Sequence, residues 1–327
     1  MSKAHVHTCL SERGPRMDRE ELVLMRDVSI DFHIEGKSKV AIAGERGLSR
    51  FRVARLLSTA RELGMVKISV ELPEESRRDL DGALEAALGV PVVVTAAHSD
   101  LQQRRDLLAR GVADQIRSRV REGMTLGVSW SRTIEAAARH LDSLPPCEVV
   151  QLVGAQPVEG SGNSLELIQQ FKRLPGVRTV PIWSPLVVSD PGTARGLRQQ
   201  PQIATALQRA DSLDLAVVAV GGWTPQASTV YPTLSAADVD AIGRHEVVGE
   251  CSGRLFDAEG NDVHTALEDR VVAVTLDQLR RTPTVIACGF GPGPAPAIRA
   301  AVRGGFAGVV VVDPECAHGL AELLGVE

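Results

Sequence analysis

Aromatic side chains are nearly missing from this chain: tryptophan, tyrosine and phenylalanine together make up 3% of its 327 residues. Any core must therefore be built from valine, leucine, isoleucine and alanine, and at 44% hydrophobic residues there is enough for one of domain size. Cysteine is scarce and scattered, at Cys9, Cys147, Cys251, Cys288 and Cys316, with no CxxC pair. That excludes a disulfide framework and a cysteine-based zinc site, and points to a reducing cytoplasmic compartment. No window approaches the roughly 18 uninterrupted apolar residues of a membrane-spanning helix. The first twenty residues are too polar for a signal peptide. His5, His7 and Cys9 lie close together there, but residues 1–18 read as a flexible leader, and no metal or cofactor is expected. A strong charge excess is also missing, with a net charge of -5 and a pI near 6.0, so a protein that coats nucleic acid along its whole length is excluded.

The positive charge is concentrated instead. Between residues 37 and 61 stand Lys37, Lys39, Arg46, Arg50, Arg52, Arg55 and Arg61, against the single acid Glu45. A short helical pattern from Ser38 to Ala43 breaks at Gly44 and Gly47. A second helix opens at Ser49, a good N-cap, and runs to Leu63 before Gly64. Val53, Leu56, Leu57 and Ala60 recur at helical spacing and mark its buried face. Helix, tight turn, helix is the pattern whose second helix enters the DNA major groove. Residues 19–35 supply a preceding helix, and MVKISVEL after Gly64 reads as a wing strand. The ordinary alternative is an αα-hairpin with a solvated basic face. The charge concentration favours DNA, with Arg50 and Arg52 as base or adjacent phosphate contacts. Lys37, Lys39 and Arg55 are expected at the backbone, and Ser49 at the helix start beside them.

After Pro73 the pattern changes. A polar helical stretch (74–88) leads into apolar runs alternating with amphipathic ones: PVVVT, MTLGVS, CEVVQLVGA, TVPIW, LDLAVVAVG, RVVAVTL, TVIACG and GVVVVD. Consecutive Val, Ala, Leu and Ile are what strands buried on both faces look like, and helices between them imply parallel crossovers. The expected fold is α/β: a winged helix-turn-helix at 19–73, then a doubly wound, mostly parallel, Rossmann-like sheet domain at 74–327.

In such sheets ligands sit beyond the carboxyl ends of the strands. Four loops there are rich in small polar residues. Gly127 to Thr133 offers the hydroxyls of Ser129, Ser131 and Thr133, with Arg132 for a charge-assisted bond. Gly154 to Ser164 offers Asn163 as a hydroxyl reader. Gly221 to Thr229 and Cys288 to Pro294 complete the set, and Asp313 ends the last strand. Singly, each reads as an ordinary cap; together they predict a small polyhydroxylated or phosphorylated ligand. An isomerase would need a carboxylate base. Glu159, Glu250, Asp257 and His245 qualify by type only, and Lys172 would form a Schiff base only if buried.

Both halves resemble the SorC-type family of sugar-responsive bacterial transcription regulators. The resemblance covers roughly residues 22–320. It rests on SKVAIAGERGLSRFRVARLLSTARELGMVKI in the head. In the body it rests on LGVSWSRT, VVQLVGA, VPIWSPLVV, ADSLDLAVVAVGG, VVGECSGRLFDAEGN and AIRAAVRGGFAGVVVVDPECA, in the family's order. It implies a body similar to sugar-phosphate isomerases and deaminases, a tetramer, and double-stranded operator DNA as partner. The implied effector is a small sugar, polyol or sugar phosphate. The resemblance assigns Gly127, Ser129, Arg132, Thr133, Gly154, Ala155, Gly221, Gly222, Ser228 and Asp313 to the effector site. Two positions depart from it. Ser131 stands where many relatives have glycine, and Pro294 lies near the place of a lysine that would hold phosphate. A neutral sugar or polyol thus stands beside a phosphorylated effector. Two other functions compete with the regulator: a sugar-phosphate isomerase or deaminase with an appended head, and a binding protein whose helix-turn-helix serves oligomerisation.

Overall fold

In the computed structural model the chain divides into two compact units, residues 1–69 and 70–327. The structure describes residues 19–63, 65–66, 74–156 and 162–326. The expected leader, most of the expected wing strand, and Glu159 lie outside the described residues.

The N-terminal unit contains α1 (Arg19–His33), α2 (Lys39–Glu45) and α3 (Arg50–Glu62). Ser38 and Ser49 cap α2 and α3, their hydroxyls accepting the N–H groups of Ala41 and Arg52. The first of the two helices runs one residue past Gly44, and the chain turns at Gly47, whose φ of 63° favours glycine. A single small cluster holds the unit together: Met25 and Val28 from α1, Ile42 and Ala43 from α2, and Val53, Leu56, Leu57 and Ala60 from α3. The four from α3 are the residues whose helical spacing marked that helix as amphipathic.

The second unit opens with α4 (Glu74–Leu88). Seven strands form its parallel sheet: β1 (Val92–Val94), β2 (Thr125–Val128), β3 (Cys147–Gln151), β4 (Val177–Val180), β5 (Leu215–Gly222), β8 (Val285–Gly289) and β9 (Val309–Val312). Their order is β1-β9-β8-β5-β2-β3-β4. The helices α5 (Leu101–Arg119), α6 (Arg132–Arg139), α7 (Ser164–Lys172), α8 (Pro191–Arg198), α9 (Pro201–Arg209), α10 (Ala236–Ile242), α11 (Leu276–Arg281), α12 (Ala295–Arg303) and α13 (Pro314–Leu324) intervene. Strand order runs outward in one direction from β2 to β4 and in the other from β5 to β9. The reversal between β2 and β5 leaves a crevice at their carboxyl ends.

Two elements differ from the sequence expectation. The buried run RVVAVTL is extended but joins no strand of the sheet. It bonds instead to the segments leaving β3 and β4, through Gly154 N–H to Val272 O (2.9 Å) and Val272 N–H to Leu186 O (2.7 Å). An apolar run reports burial, not partner. Conversely, β6 (Gly249–Cys251) and β7 (Arg254–Phe256) form an antiparallel hairpin on β5, too short for periodicity to register. Its two-residue turn is Ser252–Gly253, both at positive φ (56° and 75°), the geometry that matches hairpin twist.

Candidate functional site

A cavity of about 140 Å³ opens at the carboxyl ends of β2, β3, β5 and β8, against the β6–β7 turn. One water needs roughly 10–15 Å³ of such space, so the cavity has room for a small metabolite. The loop after β2 contributes Ser129, Trp130, Ser131, Arg132 and Thr133. Ser131 caps α6 by accepting the Ile134 N–H at 3.1 Å, so the N-terminus of α6, with its partial positive charge, lies in the loop that lines the cavity. From the exit of β3 come Val153, Gly154 and Gln156. Gly154 is required sterically: a Cβ there would lie 2.4 Å from the carbonyl oxygen of Pro185. Gly221 at the end of β5 is equally confined, a Cβ meeting Ala227 O at 2.7 Å. Gln156 donates to the Thr229 carbonyl and so ties two walls together.

The charged groups decide what the cavity can hold. Glu250, 7% exposed, is the acid among the lining residues. The β6–β7 turn presents it: Glu250 Oε2 accepts the Gly253 N–H at 3.1 Å, and Oε1 accepts the Ser228 hydroxyl at 3.3 Å. Burial outweighs these two bonds and pushes its carboxyl up to about 7. Ser252 occupies the left-handed region to make this turn, strain of the kind that concentrates at functional sites.

Arg105, on α5, reaches the same cavity. Its guanidinium lies 3.8 Å from the ring centre of Phe290, and Nη1 donates to Thr133 Oγ1 at 3.4 Å. Burial first, and then the neighbouring Arg132 charge, bring it down to about 10. Neither Arg105 nor Arg132 makes an ion pair with a carboxylate among the described residues. Among the described residues, two guanidinium groups thus line one cavity without a direct ion pair, Arg105 half-buried and Arg132 exposed, an arrangement that an anionic ligand group would complement. Cys288 also lines the cavity, where burial pushes its thiol up to about 12 and so disfavours the nucleophilic thiolate.

Of the residues expected at the effector site, Ser129, Arg132, Thr133, Gly154, Gly221 and Ser228 line this cavity. Five do not. Gly127 lies within β2, where a Cβ would press on Leu152 and Leu213. Ala155 bonds to Ser184 and Leu186 through its backbone. Asn163 caps α7, accepting the Leu165 and Glu166 amides. Gly222 lets β5 approach the Gly293 carbonyl. Asp313 is fully buried, accepts the Gly291 and Cys316 amides at 2.7 and 3.2 Å, and pairs with Arg104 Nε at 3.1 Å. It acts one step removed: it fixes the loop carrying Phe290, on which Arg105 rests. Of the other acid–base candidates, Asp257 accepts the turn amides of Glu259 and Asn261, and His245 and Lys172 are exposed. Glu250 is the one the fold brings into the cavity. Arg105 was missed because LQQRRDLLAR reads as a solvated helix face.

In the N-terminal unit the basic residues separate into two groups. Lys37 Nζ contacts Asp31, Glu35 and Glu45 at 3.2, 3.0 and 2.8 Å, and these hydrogen bonds hold its ammonium well above the usual lysine range. Arg46 donates to Asp31 at 2.6 Å, which in turn lowers the Asp31 carboxyl. Arg52 pairs with Glu21 on α1 at 2.8 Å. Lys39 lies 5.5 Å from the Phe32 ring centre. Arg50 and Arg55 are exposed and make no ion pair among the described residues. They share the solvent face of α3.

A protein family described as "Putative sugar-binding domain" matches residues 74–322. Along nearly its whole length the chain is similar to the deoxyribonucleoside regulator of Bacillus subtilis, 28% identical over 93% of this chain and 99% of that one. It is also similar to the transcriptional regulator LsrR of Escherichia coli K12, 25% identical over 95% and 96%. Among solved structures it resembles the full-length sorbitol operon regulator SorC of Klebsiella pneumoniae, with a TM-score of 0.70 at 21% identity over 94% of this chain and 99% of that one. A DeoR family regulator from Listeria monocytogenes has a TM-score of 0.67 at 25% identity over 75% and 99%. No helix among the described residues is long and apolar enough to cross a membrane. With the matched model spanning most of its length and regulators among its relatives, the chain belongs to the sugar-binding domain family of transcriptional regulators.

Proposed function

We propose that this protein is a DNA-binding transcriptional regulator whose affinity for operator DNA is set by a phosphorylated carbohydrate held in the cavity at the β2/β5 crevice. The observation that carries this reading is that two guanidinium groups with no direct ion pair among the described residues, Arg105 and Arg132, line a single cavity with one buried carboxyl, Glu250. The phosphate would take the two arginines and the first amides of α6. Sugar hydroxyls would take Glu250 and Ser228. Arg105 supplies the cation that Pro294 does not, so the phosphorylated ligand is favoured over a neutral sugar or polyol. Glu250 would accept from a hydroxyl when ionised and donate to a ring or carbonyl oxygen when protonated.

On the DNA side, α3 would lie in the major groove with Arg50 at the base edges or adjacent phosphates and Arg55 on the backbone. Lys37 and Arg52 would act indirectly, since carboxylates of the unit already hold them. Regulation would be linkage: effector binding favours one arrangement of a homo-oligomer, a tetramer by family resemblance, and the spacing of its DNA-binding units changes with it.

The test is a thermal-shift titration of the whole chain with matched pairs of sugars and their phosphate esters. The phosphorylated member should raise the melting temperature with concentration, by the linkage expected of a ligand that binds only the folded state. Equal shifts from the unphosphorylated member would exclude the phosphate reading. A filter-binding titration against the promoter region, with and without the active ester, then reads the coupling.

A further inference from the structure

We infer that Phe51 reads DNA sequence, by apolar contact with the 5-methyl group of a thymine in the major groove. The inference rests on the reading of α3 as the DNA-binding helix and names a residue that this reading leaves unused.

Phe51 is the second residue of α3 and is 87% exposed. The chain has six phenylalanines. Phe171, Phe256 and Phe306 are fully buried, Phe32 packs on the core of the N-terminal unit, and Phe290 carries the Arg105 guanidinium. Among the described residues, Phe51 alone of the six has neither a core nor a ring partner. Leaving such a side chain in water forgoes the free energy of burying it. In a chain this poor in aromatics, one is spent on a solvent-facing position of a basic helix.

Its surroundings specify what would cover it. Val53, Leu56, Leu57 and Ala60 take the buried face of α3. The opposite face runs Arg50, Phe51, Ala54, Arg55 and Ser58, with Ala54 half-buried and the others exposed. Ala54 stands one turn on from Phe51, so the two form a small apolar patch between two arginines. Helical side chains lean toward the N-terminus, which puts the Phe51 ring over the start of α3, the end that meets the bases. A second copy of the same patch across a two-fold axis would set like charges against each other. A duplex supplies phosphates for Arg50 and Arg55 and, between them on the groove floor, the thymine methyl, which is the apolar feature available there.

The experiment uses the whole chain. Its preferred duplex is first selected from a random pool. Each thymine of that duplex is then replaced singly by deoxyuridine, which removes only the methyl group. At one thymine per half-site the wild-type protein should weaken by about fourfold, the worth of one buried methyl. Phe51→Ala should bind the thymine duplex at least that much more weakly, be indifferent to uracil at the same position, and keep the salt slope of the wild type. Phe51 packs on no core residue, so the variant should melt as the wild type does. An unchanged uracil profile in Phe51→Ala overturns the inference while leaving the DNA reading intact. So does a variant whose only change is in sedimentation. Failure of the wild type to select any duplex overturns the DNA reading and this inference with it.

Discussion

Arginine is used in opposite ways in the two units of this protein. In the body, Arg105 lines a cavity, stacks on Phe290 and makes no direct ion pair among the described residues. In the N-terminal unit, Arg50 and Arg55 stand in solvent on one face of α3, while Arg46, Arg52 and Lys37 are tied to acids of the same unit. A half-buried cation in a cavity, with no direct ion pair among the described residues, suits a small anion of matching shape. Exposed cations on a rigid helix suit a polyanion much larger than the unit that carries them. The number of basic residues in a segment therefore overstates the number available to a partner, and only the pairing pattern separates the two.

The strongest break in this contrast comes from the cores beneath it. Leu57→Ala in the eight-residue core of the N-terminal unit should destabilise that unit by about 2–5 kcal/mol. Calorimetry should show an early transition, DNA binding should disappear, and the body should still bind its ligand. Loss of ligand binding as well would show that the two functions do not rest on separate cores.

Next in size is Glu250. Its folded-state pKa is raised from 4.5 to about 7, so the folded protein holds the proton more tightly than the unfolded chain. The contribution is fully present below pH 4.5 and is lost as pH rises through about 7, on the order of 3 kcal/mol in all. Glu250→Gln should flatten that part of the stability curve, gaining on the wild type at about pH 8 more than at about pH 5. A slope unchanged in the variant would place the titration elsewhere.

Arg105→Ala should weaken the active phosphate ester by about 10- to 150-fold, the range of one charge-assisted bond of roughly 1.5–3 kcal/mol. Binding of the promoter without ligand should stay as it was. Isothermal titration with the ester and its unphosphorylated parent reads the first point, since the parent should lose far less.

The two arginines near the start of α3 provide the finest comparison. Arg50→Ala should lower operator affinity by about 1–3 kcal/mol if it reads a base. Arg52→Ala, which breaks a half-exposed pair with Glu21, should change stability by about 0–1 kcal/mol and affinity by less than Arg50→Ala. Equal losses of affinity in a DNA titration would mean that Arg52 leaves Glu21 for the duplex.

Much of this architecture is legible in consecutive residues. Hydrophobic spacing marks α3 and its buried face, Ser38 and Ser49 announce the helix starts, and the valine-rich runs mark buried strands. Those signals are local, carried by residues a few positions apart. The cavity is half legible. The loops after β2 and β5 follow strands and open with small polar residues, so they can be read. Arg105 and Glu250 cannot. One sits mid-pattern on a helix that enters the sheet from another edge. The other sits on a three-residue strand, too short for alternation to show, in a hairpin laid against β5. Asp313, assigned to the site by resemblance, caps α13 and lies outside the cavity lining.

The amino-acid order alone writes the alphabet of elements and their succession: three helices, two of them with serine caps, then strands and helices in alternation. Backbone preference and apolar period act over a turn or a strand, so neighbouring residues suffice to express them. Which charges remain unpaired is settled by the folded arrangement, because pairing depends on distances between residues from different elements. Arg52 meets Glu21 across two helices, and Arg105 meets Phe290 across two layers. Coulomb attraction and desolvation depend on those separations, and no spacing along the chain encodes them.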